Sequence, residues 1–252
     1  MNFLALVLPT DFSLGLSLLL IFAAAITSVV TAALGVGGGV LLLAIMALVV
    51  PPAAIIPLHG MVQLGSNANR ALMTWRHLDW KLLAAFTPGA VLGAWLASLF
   101  LVQLSTQLLQ LSIAGFILLI CWGPRVPALA LGRWGSFVAA LVTTFLSMFV
   151  GATGPLVAAF VKQQHQGERF RTVANFAAAM SIQHLPKAVV FGAAGFVFAD
   201  WLGLLVFMVV AGALGTWLGL KLLARQSNHN FGRWFNVFLT LLALRLIWQA
   251  LT

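Results

Sequence analysis

The residues best suited to bind an anion follow two breaks in long apolar stretches of the sequence. The first break is the glycine run from Gly35 to Gly39, and the second is the stretch from Gly151 to Pro155. Glycine costs roughly 1 kcal/mol per residue relative to alanine inside a helix, so each break should end one helix and start another. A helix start presents unpaired N–H groups and a positive dipole end. We therefore predict that both breaks offer backbone donors to an anion, the alternative being that the glycines only allow close helix packing.

Two apolar segments also carry polar side chains at helical spacing. The first stripe consists of His59, Gln63, Ser66, Asn67 and Arg70. The second consists of Gln183, His184 and Lys187. Because lipid cannot satisfy polar groups, both stripes should face protein or a water-filled space.

Lys187 is the strongest single candidate for a direct contact with an anion. A lysine inside a membrane span costs ~2.5 to 3.5 kcal/mol on insertion scales, so it is expected to have a partner or a function. The alternative is a side chain that extends to the membrane interface. Arg70 lies nearer a helix end, where it either contacts entering substrate or anchors the helix. His59 and His184 are either hydrogen-bonded packing residues or proton-coupling groups, since histidine titrates near neutral pH.

The four acidic residues limit the kind of ion that could be carried. Asp11, Asp79, Glu168 and Asp200 all lie at segment ends, so no carboxylate occupies the middle of an apolar span. A cation carrier or a carboxylate-based proton pump would need one there. The interior polar groups are amides, hydroxyls, histidine and lysine, which favour an anion. Asp79 and Asp200 each precede a tryptophan at a helix start and are predicted to be helix caps.

The composition is that of a helical membrane protein with many spans. Of the 252 residues, 62% are hydrophobic and 7% are charged, and the mean hydropathy is +1.09. The net charge of +9 resides at segment ends, so it indicates membrane orientation and gives no reason to expect a nucleic-acid partner. The single cysteine, Cys121, excludes an intrachain disulfide and a cysteine-based metal site. No metal or other cofactor is expected.

We predict an all-α fold with eight long segments and two short helices after the glycine breaks. The long segments lie near residues 13–34, 53–74, 80–101, 106–122, 132–150, 172–195, 201–223 and 231–250. The short ones lie near 39–50 and 155–163. Each long segment approaches the ~20 residues that a helix needs to cross a bilayer.

The two halves of the chain resemble each other. Asp79-Trp80 recurs 121 residues later as Asp200-Trp201, and Gln63 recurs 120 residues later as Gln183. Matches at nearly constant offset indicate an internal duplication. We predict a first transmembrane repeat over residues 1–123 and a second over 124–252.

Loop charges predict that the repeats are inverted. If each break lay inside one spanning helix, lysine and arginine would divide almost evenly between the two membrane faces, against the positive-inside rule. If each break is instead the tip of a hairpin, spanning or re-entrant, eleven basic residues share one face, and only Lys187 and Arg245 lie within spans. The eleven are Arg70, Arg76, Lys81, Arg125, Arg133, Lys162, Arg169, Arg171, Lys221, Arg225 and Arg233. Both termini are then outside and the basic loops are cytoplasmic.

The ordered set of motifs resembles the TauE/SafE-type sulfite exporter family. The set is a glycine break, Gln63 to Arg70, Asp79-Trp80, and the same layout ending at Lys187 and Asp200-Trp201, and it covers the chain from about Ser17 to Ala250. The resemblance implies a bacterial inner-membrane transporter of sulfite or an organosulfonate. It also implies substrate contacts at Gly35, Gly37, Gly38, Gly39, Gln63, Asn67, Arg70, Gly151, Thr153, Gly154, Gln183 and Lys187.

The sequence therefore predicts a secondary transporter, most simply an exporter, that moves a small sulfur-containing anion by alternating access. Its other partner is membrane lipid, and the sequence leaves a homo-oligomer open. Proton coupling and export driven by the membrane potential both fit. The alternative is an intramembrane enzyme acting on a lipid-linked or small anionic substrate, for which the expected nucleophile and base show no suitable spacing.

Overall fold

The computed structural model describes residues 9, 12–100, 105–123, 132–165, 168–223 and 231–252, apart from the side chains of residues 231–235 and 238. Within these residues the chain forms ten α-helices and no strand, which confirms the predicted all-α membrane fold. Several predicted features lie outside the described residues: Asp11, Arg125, Arg225, the side chain of Arg233 and the proposed repeat boundary at 123/124.

Five helices belong to the first half of the chain. They are α1 (Leu14–Leu34), α2 (Gly38–Val49), α3 (Pro52–Met73), α4 (Trp80–Leu99) and α5 (Thr106–Trp122). A 3₁₀ turn, Trp75–His77, precedes α4. The short helix α2 directly follows the first glycine break, as predicted.

The second half repeats this order. It contains α6 (Arg133–Val150), α7 (Gly154–Gln164), α8 (Arg169–Ala193), α9 (Leu202–Leu223) and α10 (Phe231–Leu251). A 3₁₀ turn, Phe198–Trp201, leads into α9. The short helix α7 follows the second break.

Among the described residues, four stretches are long and apolar enough to cross a membrane by length and composition, namely α1, α4, α6 and Phe198–Leu223. The helices α3 and α8 are as long, at 22 and 25 residues, but they carry the two polar stripes. Their stripe residues are almost completely buried, from Gln63 at 7% exposed to Lys187 at 0%. The polar stripes of both helices therefore face the interior of the protein.

The principal helix contacts join the two halves. α1 packs along α9 and α4 along α6, whereas α3 packs against α8 and α5 against α10. Each contact thus has a counterpart when the halves are exchanged, and this supports the proposal of two related repeats.

Glycine pairs spaced four residues apart bring these helices close together. α4 meets α6 at Gly89 and Gly93, and α9 meets α1 at Gly215 and Gly219. A methyl group on any of the four would overlap a backbone carbonyl of the facing helix. Such small residues allow close backbone approach in membranes, where packing rather than hydrophobic burial drives helix association.

A polar network joins the two halves at one end of the helices. Asn175 of α8 accepts a hydrogen bond from the Asp79 N–H (2.7 Å) and donates one to the His77 carbonyl (3.1 Å). Arg171 lies 3.4 Å from the Asp79 carboxylate. The loop before α4 and the start of α8 therefore lie at the same end of the molecule.

His165, in the turn after α7, completes this network. Burial, followed by the nearby Arg171 charge, lowers the pKa of the His165 ring, although the carboxylates of Asp79 and Glu168 oppose the shift. The ring is therefore neutral near neutral pH, and its 4.0 Å approach to Asp79 is not an ion pair there.

Candidate functional site

The two breaks face each other across a small cavity. Its volume is about 10 Å³, enough for the centre of one water-sized group. The first half lines it with Thr31, Gly37, Gly39, Val40, His59, Gln63 and Asn67. The second half lines it with Ala152, Gly154, Pro155, Phe176, Met180 and His184.

The first break turns the chain back on α1 and leaves backbone donors at the cavity. Gly35 and Gly37 have φ angles of 86° and 108°, a region that favours glycine. Gly38 lies so close to α1 that a methyl group there would overlap the Thr27 carbonyl, two turns before α1 ends. The first helical N–H with a bond is that of Leu41, which donates to Gly37 (3.0 Å). In the described chain, the three preceding N–H groups of α2 therefore have no partner.

The second break offers fewer donors. Pro155 occupies the start of α7 and has no N–H. The N–H groups of Leu156 and Val157 both donate to the Thr153 carbonyl, at 3.0 and 3.3 Å. Among the described residues of this first turn, Gly154 alone keeps an unpaired N–H. Backbone donors are thus concentrated on the first tip.

A hydrogen-bonded chain on α3 supports the first tip. Asn67 donates from Nδ2 to the carbonyl oxygen (2.8 Å) and the Oε1 (3.1 Å) of Gln63. Arg70 donates from Nη1 to Asn67 Oδ1 (3.0 Å) and is 1% exposed. Arg70 therefore lies behind the cavity and acts on it through Asn67.

Two side chains of α8 support the second tip. Gln183 donates from Nε2 to the Thr153 hydroxyl (2.7 Å), which in turn donates to the Thr143 carbonyl (3.1 Å). Lys187 donates from Nζ to the Gly151 carbonyl (2.7 Å). The lysine stem passes over Gly60 of α3, where a methyl group would lie 2.8 Å from Lys187 Cδ. Gly60 thus makes room for the fully buried Lys187 side chain beside the cavity.

The two histidines meet at the cavity, with ring centroids 5.9 Å apart and planes at 75°. His59 Nε2 lies 2.9 Å from the Gly39 carbonyl, which can only accept, so this nitrogen carries the hydrogen. His184 is 0% exposed, and neither of its ring nitrogens contacts a partner within the described chain. An unpaired buried polar group costs about 1 to 3 kcal/mol. A bound anion would accept a hydrogen bond from the N–H of the His184 ring and so relieve that part of the cost.

This arrangement of two broken helices around buried polar stripes was compared with known proteins. The family model described as Sulfite exporter TauE/SafE matches residues 19–246. The chain belongs to the TauE/SafE sulfite exporter family. No curated protein and no solved structure matches it. As a TauE/SafE protein, the chain is a membrane transporter for a sulfite-type anion, and the resemblance predicted from the sequence is confirmed.

The predicted contact residues of this TauE/SafE chain divide into two groups. Those that line the cavity are Gly37, Gly39, Gln63, Asn67 and Gly154. Those that support the lining or shape the tips are Gly35, Gly38, Arg70, Gly151, Thr153, Gln183 and Lys187. The predicted proton-coupling pair, His59 and His184, lines the cavity as well. All of these roles stay predictions.

Other cavity-lining residues were not predicted from the sequence. They are Thr31, Val40, Phe176 and Met180, whereas the lining residues Ala152 and Pro155 lie in the predicted second break. Thr31 lies four residues before Gly35, a position one turn from the break that could have indicated it. Phe176 and Met180 lie seven and three residues before Gln183, on the same face of α8 as the predicted polar stripe, so their spacing could have indicated them although their residue types could not.

Proposed function

We propose that this protein exports a small sulfur-containing anion, sulfite or an organosulfonate, by alternating access, with the anion bound between the two helix breaks. The observation that carries the proposal is the cavity at the start of α2. The unpaired N–H groups of Gly39 and Val40 belong to residues that line the same space as the unpartnered ring of His184. Anions bind favourably at helix N-termini, and at broken helices in transporters.

Fixed charges near the cavity also favour an anion. The guanidinium of Arg70 is buried and donates to the lining residue Asn67, and the amino group of Lys187 is buried and donates to Gly151, the neighbour of the lining residue Ala152. The described acidic residues Asp79, Glu168 and Asp200 lie at helix ends. Because the interior has a low dielectric constant, these two cations compensate an anion more strongly than they would in water.

The pairing of helices supports an alternating-access cycle. The cavity is smaller than an anion with three oxygens, so binding requires the two tips to separate. We propose that the α1–α9 pair and the α4–α6 pair move relative to the central α3–α8 pair, since each is tightly packed through its own glycines. Movement of one pair opens one face, and movement of the related pair opens the other.

The membrane potential is sufficient to drive export. An outward-moving monoanion gains ~2.3 kcal/mol per 100 mV of inside-negative potential. Proton coupling through His59 and His184 is the second mode that the cavity supports, because both rings line it. A proton gradient imposed at zero membrane potential distinguishes the two modes.

We propose that the protein resides in the bacterial inner membrane with both termini outside. The ion pair between Arg171 and Asp79 brings two basic loops to one end, which the positive-inside rule assigns to the cytoplasm. In a Cys121→Ala background, we expect Ala199→Cys to react with an impermeant thiol reagent in intact cells. We expect Glu168→Cys to react only after permeabilisation. Labelling of both from the same side would contradict the inverted arrangement.

Binding and flux of sulfite test the proposed function directly. We expect purified protein in liposomes to carry radiolabelled sulfite, and sulfite to raise the melting temperature of the protein in detergent. Ligand at ~100 times its dissociation constant should stabilise the protein by ~2.7 kcal/mol. Neither flux nor stabilisation by sulfite or any organosulfonate would overturn the proposal.

A further inference from the structure

The cavity has a polar wall that comes mainly from the first half of the chain. Thr31, His59, Gln63 and Asn67 contribute a hydroxyl, an imidazole and two amides. Gln63 Nε2 donates to no group in the described chain, and the unpaired N–H groups at the start of α2 lie on the same side. The Thr31 hydroxyl, His59 Nε2 and Asn67 Nδ2 already donate within the protein. The donors that this wall presents to one face of a bound anion are therefore Gln63 Nε2 and the backbone N–H groups at the start of α2.

The opposite wall, from the second half, is mainly apolar. It consists of Ala152, Pro155, Phe176 and Met180. The ring of Phe176 and the methyl end of Met180 lie 3.6 and 3.8 Å from where a side chain on Gly154 would begin. Both side chains belong to a larger buried apolar cluster, so this wall has further apolar side chains behind it. A phenyl ring and a thioether offer no strong donor to an oxygen placed against them.

Three residues depart from this division. Val40 is an apolar member on the first side, whereas the ring of His184 and the unpaired N–H of Gly154 are polar groups on the second. His184 faces His59 in an edge-to-face contact, so its ring lies at the border between the two walls. The apolar wall proper is thus formed by the second tip and the nearest turns of α8.

We infer that the cavity selects anions whose oxygens all lie on one side of the central atom. This inference rests on the proposed function, because it takes the anion to bind between the two tips. Sulfite is a pyramid with three oxygens on one side and a lone pair on the other. In a sulfonate, an alkyl group takes the place of that lone pair. Sulfate and phosphate are tetrahedral, so when three of their oxygens face the polar wall the fourth points at the apolar wall.

The size of the discrimination follows from the lost hydrogen bonds of that fourth oxygen. A polar oxygen that leaves water without a new partner weakens binding by about 10- to 100-fold. We therefore expect tetrahedral oxyanions to bind weaker than pyramidal ones by this factor, even when the net charge is the same.

A competition assay on the full-length protein tests this selection. Binding of radiolabelled sulfite is measured at mildly acidic pH, where hydrogen sulfite, hydrogen selenite and dihydrogen phosphate each carry one negative charge. We expect selenite and methanesulfonate to displace sulfite at similar concentrations, and phosphate and sulfate to require about 10- to 100-fold more. Phosphate that competes as well as selenite would overturn the inference.

A pair of variants ties the selection to the apolar wall. Met180→Gln places an amide donor of similar size on that wall, whereas Met180→Leu keeps it apolar. We expect the preference for sulfite over phosphate to fall by about tenfold in the glutamine variant and to keep the wild-type ratio in the leucine variant. Equal ratios in both variants would overturn the role of the wall.

Failure of this inference is distinguishable from failure of the proposed function. If sulfite and every other anion of the panel fail to bind the wild-type protein, both are overturned. If sulfite binds but phosphate binds equally well, only the selection by shape is overturned. The wild-type panel decides this even if Met180→Gln does not fold.

Discussion

Replacing Gly38 by alanine is expected to abolish anion flux and to lower the melting temperature of the protein, because no methyl group fits at the start of α2. The added carbon would overlap the Thr27 carbonyl oxygen and the Thr31 hydroxyl. The carbonyl belongs to the backbone of α1, so no rotamer change relieves the overlap. Forced packing of this kind costs typically ~1 to 3 kcal/mol and sometimes more. It also displaces the N–H groups that we propose as anion donors.

The measurement is sulfite flux in liposomes together with the melting temperature of the same preparation. Gly115→Ala is the matched control, because a methyl group at this position in α5 meets nothing within 4 Å. We expect its flux to be unchanged and its stability to be equal or higher by up to ~1 kcal/mol. Gly39→Ala should be intermediate, since its new carbon would lie 3.2 Å from Gln63 Oε1 and that side chain can adjust. Normal flux in Gly38→Ala would show that the tip is not part of the site.

Much of the fold could be predicted because its determinants are local in the sequence. Asp79 caps α4 as expected, with its carboxylate accepting from the N–H groups of Lys81 and Leu82. Asp200 does not precede its helix in the same way. It lies within the 3₁₀ turn Phe198–Trp201, and this turn leads into α9. The Asp-Trp dipeptide thus stands at the start of two helices, once with a capping aspartate and once within a 3₁₀ turn. Local sequence predicts a helix start but not which turn type the surrounding packing selects.

The site was predicted less completely because it depends on contacts between distant residues. The glycine breaks and the polar stripes were recognisable by residue type and spacing alone. In contrast, the position of Lys187 Nζ on the Gly151 carbonyl depends on space that Gly60 leaves on another helix. The apolar wall depends on which face of α8 meets the second tip. Both relations join residues of different helices, so a single sequence does not display them.

Replacing Lys187 by methionine is expected to reduce anion flux by at least about 100-fold while the protein remains folded. The ammonium is 0% exposed, and its partner is the neutral carbonyl of Gly151. A buried charge without an opposite charge costs stability, so a methionine of similar length removes that cost. The Gly151 carbonyl loses its donor, at about 1 to 3 kcal/mol, which offsets part of the gain. The net change in stability is therefore small, whereas the anion loses a compensating charge in a low-dielectric interior.

The comparison of flux with stability separates a role in anion binding from a purely structural one. If Lys187 only holds the second tip in place, Lys187→Met should lose melting temperature and flux together. If it compensates the anion, the melting temperature without ligand should stay near that of the wild type, and the increase caused by sulfite should disappear. Lys162→Met is the matched control, because Lys162 is exposed at the end of α7 and its loss should change flux by no more than about twofold. Wild-type flux in Lys187→Met would mean that backbone donors and the histidines bind the anion without this charge.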